Sequence, residues 1–444
     1  MQDKIKKFLY DLFPINRSIS GPGTRETLDY IKCNFLPSSI IKSIKSGSKI
    51  FDWTVPPEWS VKEAYIKNKF GEKIIDFSSN NIHLVSYSEP VKQIIDTESL
   101  LEKIHTLPDH PDWIPYRTSY YKRNWGFCCE HNLLSSKKFT GPFEVKIDSN
   151  FDDKGQMNWL ECSKIGELKD EIIISTYCCH PSLANDNLSG LVAATLLFEY
   201  ISKRKTKYSY RLVIAPETIG TVAFLSQANT KNIIGGMIMT CVAGPGNFSI
   251  KEGFDKNHWI NKSALHAVDE YTNGNFDIFP FVPDGSDERQ YSSPGFKIVT
   301  PSIHKSKYYE YDEYHTSADN LDFISSENLE KSLEIYISWF HNIENFCHPR
   351  RLDIYCEFQL GKVGLYPQTG GSINQPSLKE NQKLKDDENP LRIEEKHIDA
   401  FQWLMHLSDG NNSNLDIAEK SNLPLKLINE SIKIMLEKNL ISIS

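Results

Sequence analysis

Several features are scarce in this 444-residue sequence, and each scarcity removes a class of function. A helix needs roughly 20 consecutive apolar residues to span a bilayer. The longest apolar run here is near LVAATLLF, residues 191–198, so no membrane partner is expected. The amino-terminal stretch MQDKIKKFLYDLFPINRS carries acids and lacks an apolar core of secretory-signal length. Nine cysteines are scattered, two pairs being adjacent (Cys128–Cys129 and Cys178–Cys179), and none has CxxC spacing. Neither a disulfide framework nor a cysteine-rich zinc site is indicated, and reduced thiols in a cytoplasmic protein are the expectation. Basic residues are in deficit: 50 Lys and Arg stand against 58 Asp and Glu, a formal charge of −8. That balance gives no electrostatic footprint for nucleic acid or for an anionic membrane surface. Internal repeats are absent too. Core-forming residues are not: at 39% hydrophobic and 24% charged the chain is globular, and its length calls for two or three domains.

Residues 1–13 and 24–35 read as helices, the second placing Leu28, Ile31 and Phe35 on one face, with the loop RSISGPG between them. From 48 to 125 the texture turns rich in tryptophan, proline and tyrosine, with short alternating segments, and reads as an inserted small β-rich domain. From 142 an α/β pattern takes over: strands FEVKID, MNWLEC, EIIISTY, RLVIAP, GGMIMTCV and FKIVTPS, a buried helix SGLVAATLLFEYISKRK, and a long amphipathic helix over 325–346. This alternation predicts an α/β fold whose central sheet is mostly parallel and flanked by helices. The core is thus expected over 1–47 and 126–350, a linker over 351–390, and a winged helix-turn-helix over 391–444.

The stretch CHPSLANDNLSG (179–190) leaves a strand, places His180 and reaches Asp186 just before a helix. Taken singly, Asp186 reads as a helix N-cap and His180 as a loop histidine. Yet ligands of open α/β sheets lie at the carboxyl ends of strands, and four chemically capable residues sit there. His180 and Asp186 follow EIIISTY, Glu217 follows RLVIAP, and His315 follows FKIVTPS. Two neutral imidazoles and a carboxylate form a catalytic zinc set with a position left open. A carboxylate outside that set can move the proton, a task suited to Glu217.

In order and texture these motifs resemble the zinc aminopeptidases of phosphorylase/hydrolase-like fold, a group that includes the glutaminyl cyclases. Their DNxSG motif stands here as Asp186–Gly190, their base-containing segment as Pro216–Gly220, their SD-plus-aromatic motif as Ser286–Tyr291, and their YHTxxD motif as Tyr314–Asp319. Over the whole chain, RSISGPGTRETL, DWTVP, HTLPDHPDWIPYRTSYY and NWGFC resemble a bacterial family of aminopeptidase-like proteins. Its members carry a small insertion near the N-terminus and a C-terminal winged helix, and are often associated with surface-polysaccharide biosynthesis. The resemblance implies zinc on His180, Asp186 and His315, with Glu217 as catalytic base.

Three departures bear on the metal count. Ser182 stands where the two-zinc enzymes orient the first histidine with an aspartate, Thr218 where they have a glutamate ligand, and Thr240–Cys241 near a further aspartate ligand. The resemblance therefore implies one zinc per chain rather than two, Cys241 being an extra soft ligand or a buried structural cysteine. Asp287, Arg289, Tyr291 and Arg17 are candidate substrate contacts. Arg289 or Tyr291 could stabilise an oxyanion, and Asp287 or Glu288 could anchor a free amine. His105 and His110 lack a metal pattern, and their segment is expected to wall the site. The expected activity is aminopeptidase-like, zinc-dependent hydrolysis of an amide or peptide bond in a small substrate. The alternatives are a metal-dependent N-deacylase of an amino sugar or small amide, and a binding scaffold with weakened catalysis. Residues 391–444 hold six Lys and Arg against eight Asp and Glu. That disfavours DNA and leaves a protein partner or a second copy of the chain as the expected contact.

Overall fold

The computed structural model describes residues 1–119, 121–365 and 390–444, with backbone only for 390–396. Two compact units result, residues 1–340 and 341–444. In chain order the principal strands of the first are β1 (Ile40–Lys45), β2 (Glu58–Lys67), β3 (Lys73–Asp76), β4 (Val91–Ile95), β5 (Phe143–Asp152), β6 (Gln156–Lys164), β7 (Glu171–Tyr177), β8 (Ser209–Ala215), β9 (Ile233–Met239), β10 (Phe248–Lys251), β11 (Asp277–Phe279) and β12 (Ser302–Lys305). The main helices are α1 (Gln2–Leu12), α2 (Pro22–Asn34), α3 (Gly190–Ser202), α4 (Ile219–Gln227), α5 (Trp259–Thr272) and α6 (Ser326–Glu344).

Eight strands form the central sheet in the order β1-β6-β8-β7-β9-β12-β10-β11. The middle four, β8, β7, β9 and β12, are mutually parallel, whereas β1, β6 and β10 pair antiparallel with their inner neighbours. The fold is thus mixed α/β, parallel at its centre and antiparallel toward its margins. All seven residues of β7 are buried, the signature of a strand covered on both faces. Helix α3 packs on β7, β8 and β9, and is buried along nearly its whole length. Helix α1 shows the opposite pattern. Its buried residues Ile5, Phe8, Leu9 and Leu12 fall at helical spacing on one face.

Two expectations need correction. FKIVTPS is not a strand along its length; the strand proper is β12, beginning at Ser302. Proline at 301 has no N–H to give to a ladder. Toward β9 the preceding segment accepts, at Val299 from the Gly236 N–H (2.9 Å) and at Pro301 from the Ile238 N–H (3.0 Å). The second correction concerns FEVKID. As β5 it enters a separate four-stranded antiparallel sheet, β3-β2-β5-β4, and not the central one. The expected boundary at 125 therefore does not coincide with a sheet boundary. Trp59, Phe143, Val145 and Ile147 from this second sheet share one apolar cluster with Trp159, Val213, Phe224 and Tyr291.

The second unit comprises helices α7 (Pro390–Leu407), α8 (Asn414–Ser421) and α9 (Leu425–Glu437) and an antiparallel pair, β13 (Pro349–Arg351) with β14 (Ile441–Ile443). Ser413 and Asp416 form a capping box that starts α8, and Asn422 in the left-handed region ends it just before α9. Most of the expected linker, 366–389, lies outside the described residues. No helix among the described residues is long and apolar enough to cross a membrane.

Candidate metal centre

The turn that follows β7 is built from its own polar residues. Asp319 accepts the backbone N–H of Asn185 (2.6 Å) and of Asp186 (3.0 Å). Asn185 Oδ1 accepts the N–H groups of Ala243 and Gly244 at 3.0 and 3.1 Å, tying the turn to the segment after β9. Asn187 Nδ2 donates to Thr176 Oγ1 (2.9 Å) and to the Tyr177 carbonyl (3.1 Å). A Cβ at Gly190 would lie 2.2 Å from Asn187 Oδ1 and 2.4 Å from the Met239 carbonyl, so only glycine fits. The Asp186 side chain caps neither Ala184–Ser189 nor α3. Its Oδ1 accepts the Tyr177 hydroxyl at 2.5 Å instead, and the N-cap reading falls.

Asp186 Oδ2 is left facing two imidazoles. His315 Nε2 lies 2.9 Å from it and His180 Nε2 3.9 Å. One ligand atom from each of His180, Asp186 and His315 falls within a 4.8 Å group. Asp186 Oδ2 and His315 Nε2 are both buried, and apart from their contact with each other neither has a hydrogen-bond partner among the described residues. Buried polar atoms are rarely left in that state. A cation held by all three residues would satisfy them, so the donor set fits zinc. Burial drives the His180 imidazole down to about 4, against the pull of Asp186, so the ring is neutral at physiological pH as a ligand must be. Burial alone would raise Asp186, but His180, His315 and Tyr177 together bring it down to about 2.

Support comes from behind each imidazole. Arg17, expected as a substrate contact, is buried and donates from Nε to the His180 carbonyl (3.1 Å), so it positions the ligand loop. Tyr314 stacks on the His315 ring at 4.0 Å. The Tyr116 N–H reaches the His315 carbonyl (2.7 Å), and its ring meets His315 edge-on. Ile114 and Ser317 exchange two further bonds. The Trp/Pro-rich stretch therefore does wall the site, as expected. His110 stacks on Trp113 and joins no metal-ligand group among the described residues.

A cavity of about 200 Å³ opens beside the cluster. Glu217 lines it, its Oε2 3.8 Å from His180 Nε2, and burial together with Asp287 and Asp186 raises its pKa well above the usual range. Thr218 follows with φ 63, a strained conformation for a β-branched residue. Its N–H donates to Asp287 Oδ1 (2.7 Å), and its hydroxyl accepts from Arg289 Nη2 (3.0 Å). Arg289 lines the cavity; Asp287 is fully buried, and burial lifts its pKa to about 7. Like Arg17, Tyr291 and Glu288 do not take the expected substrate roles, and Cys241 fits the structural reading rather than the ligand one. Tyr291 is completely buried in the core, donates to Ser175 Oγ (3.0 Å) and lines no part of the cavity. Glu288 forms a buried ion pair with Lys251. Cys241 is buried beside Thr240 and does not join the three-residue cluster. Ser18, Ser86, Tyr116 and Thr118 line the cavity and were not anticipated singly.

Comparison with known proteins agrees with this architecture. Residues 6–346 match the family model described as domain of unknown function (DUF4910). A Clostridium acetobutylicum protein, named for polysaccharide biosynthesis and an aminopeptidase-like domain, is 41% identical over 433 residues, covering 96% of this chain and 93% of that one. A crystal structure from the same organism, described as a peptidase, superposes with TM-score 0.88 at 38% identity, over 100% of this chain and 96% of its own. A zinc aminopeptidase from Bacillus subtilis has TM-score 0.56 at 10% identity, covering 77% of this chain and 94% of its own, which shows a shared fold. The chain belongs to the DUF4910 family of aminopeptidase-like proteins.

Proposed function

We propose that the chain is a metal-dependent hydrolase of amide bonds, with His180, Asp186 and His315 holding one zinc ion. The observation that carries this reading is the pair of unsatisfied buried atoms, Asp186 Oδ2 and His315 Nε2, with His180 and the Glu217 carboxylate close by. Bound there, zinc would supply a Lewis acid for the scissile carbonyl and lower the pKa of a water to roughly 7. Glu217 takes a proton from the attacking water and returns it to the departing nitrogen. Tyr177 keeps Asp186 oriented, and Tyr116 closes the cavity on the His315 side.

The test is a zinc-loaded sample assayed on amino-acid anilides and on N-acylated amines, beside Glu217→Gln. Hydrolysis that vanishes in the variant supports the proposal; hydrolysis that survives it rules out Glu217 as the base. The proposal extends to the 341–444 unit, read as a winged-helix module that contacts protein in a cytoplasmic setting. Its surplus of acids favours that partner over DNA. A salt-sensitive shift of labelled duplex DNA would count against it.

A further inference from the structure

The charges around the cavity bear on what the substrate carries. An exopeptidase acting on a free amino terminus needs a carboxylate to receive the ammonium group. The candidates lie off the cavity lining. Asp287 is fully buried and accepts the Thr218 N–H with one oxygen, and Glu288 is paired with Lys251. Glu217 is the remaining carboxylate on the wall, and it is the base. Facing it is a cation. The Arg289 guanidinium has five N–H donors. Among the described residues it makes one hydrogen bond, to Thr218, and no direct ion pair; its Nε is buried without a partner, while its charge is felt by Glu217 and Asp287. Ser18, Ser86 and Thr118 add neutral hydroxyls to the same lining.

We infer that the substrate is a small N-acylated compound bearing a carboxylate, received by Arg289, and not a peptide with a free amino terminus. The inference rests on the hydrolase reading above and narrows its substrate class. A planar guanidinium with donors to spare matches a carboxylate geometrically, and the charge-assisted bonds it makes are among the stronger ones in proteins. In the reaction, water oxygen bonds to the acyl carbon, the C–N bond breaks, and the nitrogen leaves with the proton. The substrate carboxylate is unchanged and serves only recognition.

Calorimetric binding to the zinc-loaded full-length chain tests this without depending on turnover. The probes are N-acetylalanine, its methyl ester and alaninamide. The acid should bind about tenfold more tightly than the ester, the range expected for one charge-assisted contact. Arg289→Gln should bring the acid down to the ester's affinity, and Arg289→Lys should recover part of the difference. Unchanged melting temperatures would show that both variants are folded. The inference is overturned if alaninamide binds as tightly as the acid, if Arg289→Gln weakens acid and ester equally, or if no probe binds at millimolar concentration. Acid-selective binding without cleavage of any amide would instead overturn the hydrolase reading and leave the recognition role of Arg289 standing.

Discussion

On one side of the cavity, His180, Asp186 and His315 bring three lone-pair donors to a common point and leave two of them unsatisfied. On the other side, Thr218 is bonded to both Asp287 and Arg289, and no imidazole converges there. Both sides are polar and close to Glu217, yet they differ in what they need from outside. The first lacks a cation to complete it. The second already contains one, fixed to the chain as a guanidinium. The second side also keeps unpaired buried atoms, Asp287 Oδ2 and Arg289 Nε, so the difference teaches that a metal site is recognised by ligand atoms that converge on one point rather than by unpaired atoms alone.

The largest expected effect comes from the residue between the two sides. Glu217→Gln should lower kcat on any amide substrate by roughly 10²–10⁴-fold. Its bound metal should be unchanged, because Glu217 lies outside the ligand group. Loss of metal in this variant would merge the base with the ligand set and erase the distinction between the sides.

Next in size is the support beneath the first side. Asp319→Ala leaves the N–H groups of Asn185 and Asp186 without their acceptor. At about 1–3 kcal/mol for each stranded buried group, the denaturant midpoint should fall clearly and metal affinity should weaken with it. Thr218→Ala on the opposite side removes one hydrogen-bond acceptor and should cost about 1 kcal/mol. Equal losses from the two substitutions would contradict the contrast.

The smallest effect is one of pH. Burial raises Asp287 from 3.8 to about 7. The folded chain thus holds a proton that the unfolded chain releases, and the stability this contributes is fully present below about pH 4. It is lost as pH rises toward 7. Asp287→Asn, neutral throughout, should therefore flatten the fall in melting temperature between pH 5 and 8. A parallel decline in parent and variant would show that Asp287 ionises normally in place.

His180, Asp186, Glu217 and His315 were legible because scarce, chemically capable residues stood after segments with strand texture. The parallel heart of the sheet was legible from the alternation of strands such as EIIISTY and GGMIMTCV with helices. Alternation within a single strand is less informative. FEVKID shows which of its residues are buried, but not which sheet it joins, and the pairing of β5 with β2 and β4 is a tertiary choice. Tyr116 reaches the cavity through its bond to His315, and Ser86 through bonds to Arg117 and Ser119 beside Thr118, distances in sequence that no local spacing encodes. Tyr291 misled for the converse reason. It follows Asp287 and Arg289 on one short helix, but its side chain turns into the core toward Ser175.

The central claim is that three residues hold one metal ion. Metal content per chain, measured by elemental mass spectrometry on protein purified without tag or chelator, addresses it directly, with His180→Ala and His315→Ala in parallel. The account predicts about one zinc in the parent and almost none in either variant. Two metal ions per chain would contradict a single three-residue ligand group, and none after zinc is supplied would contradict the metal centre itself.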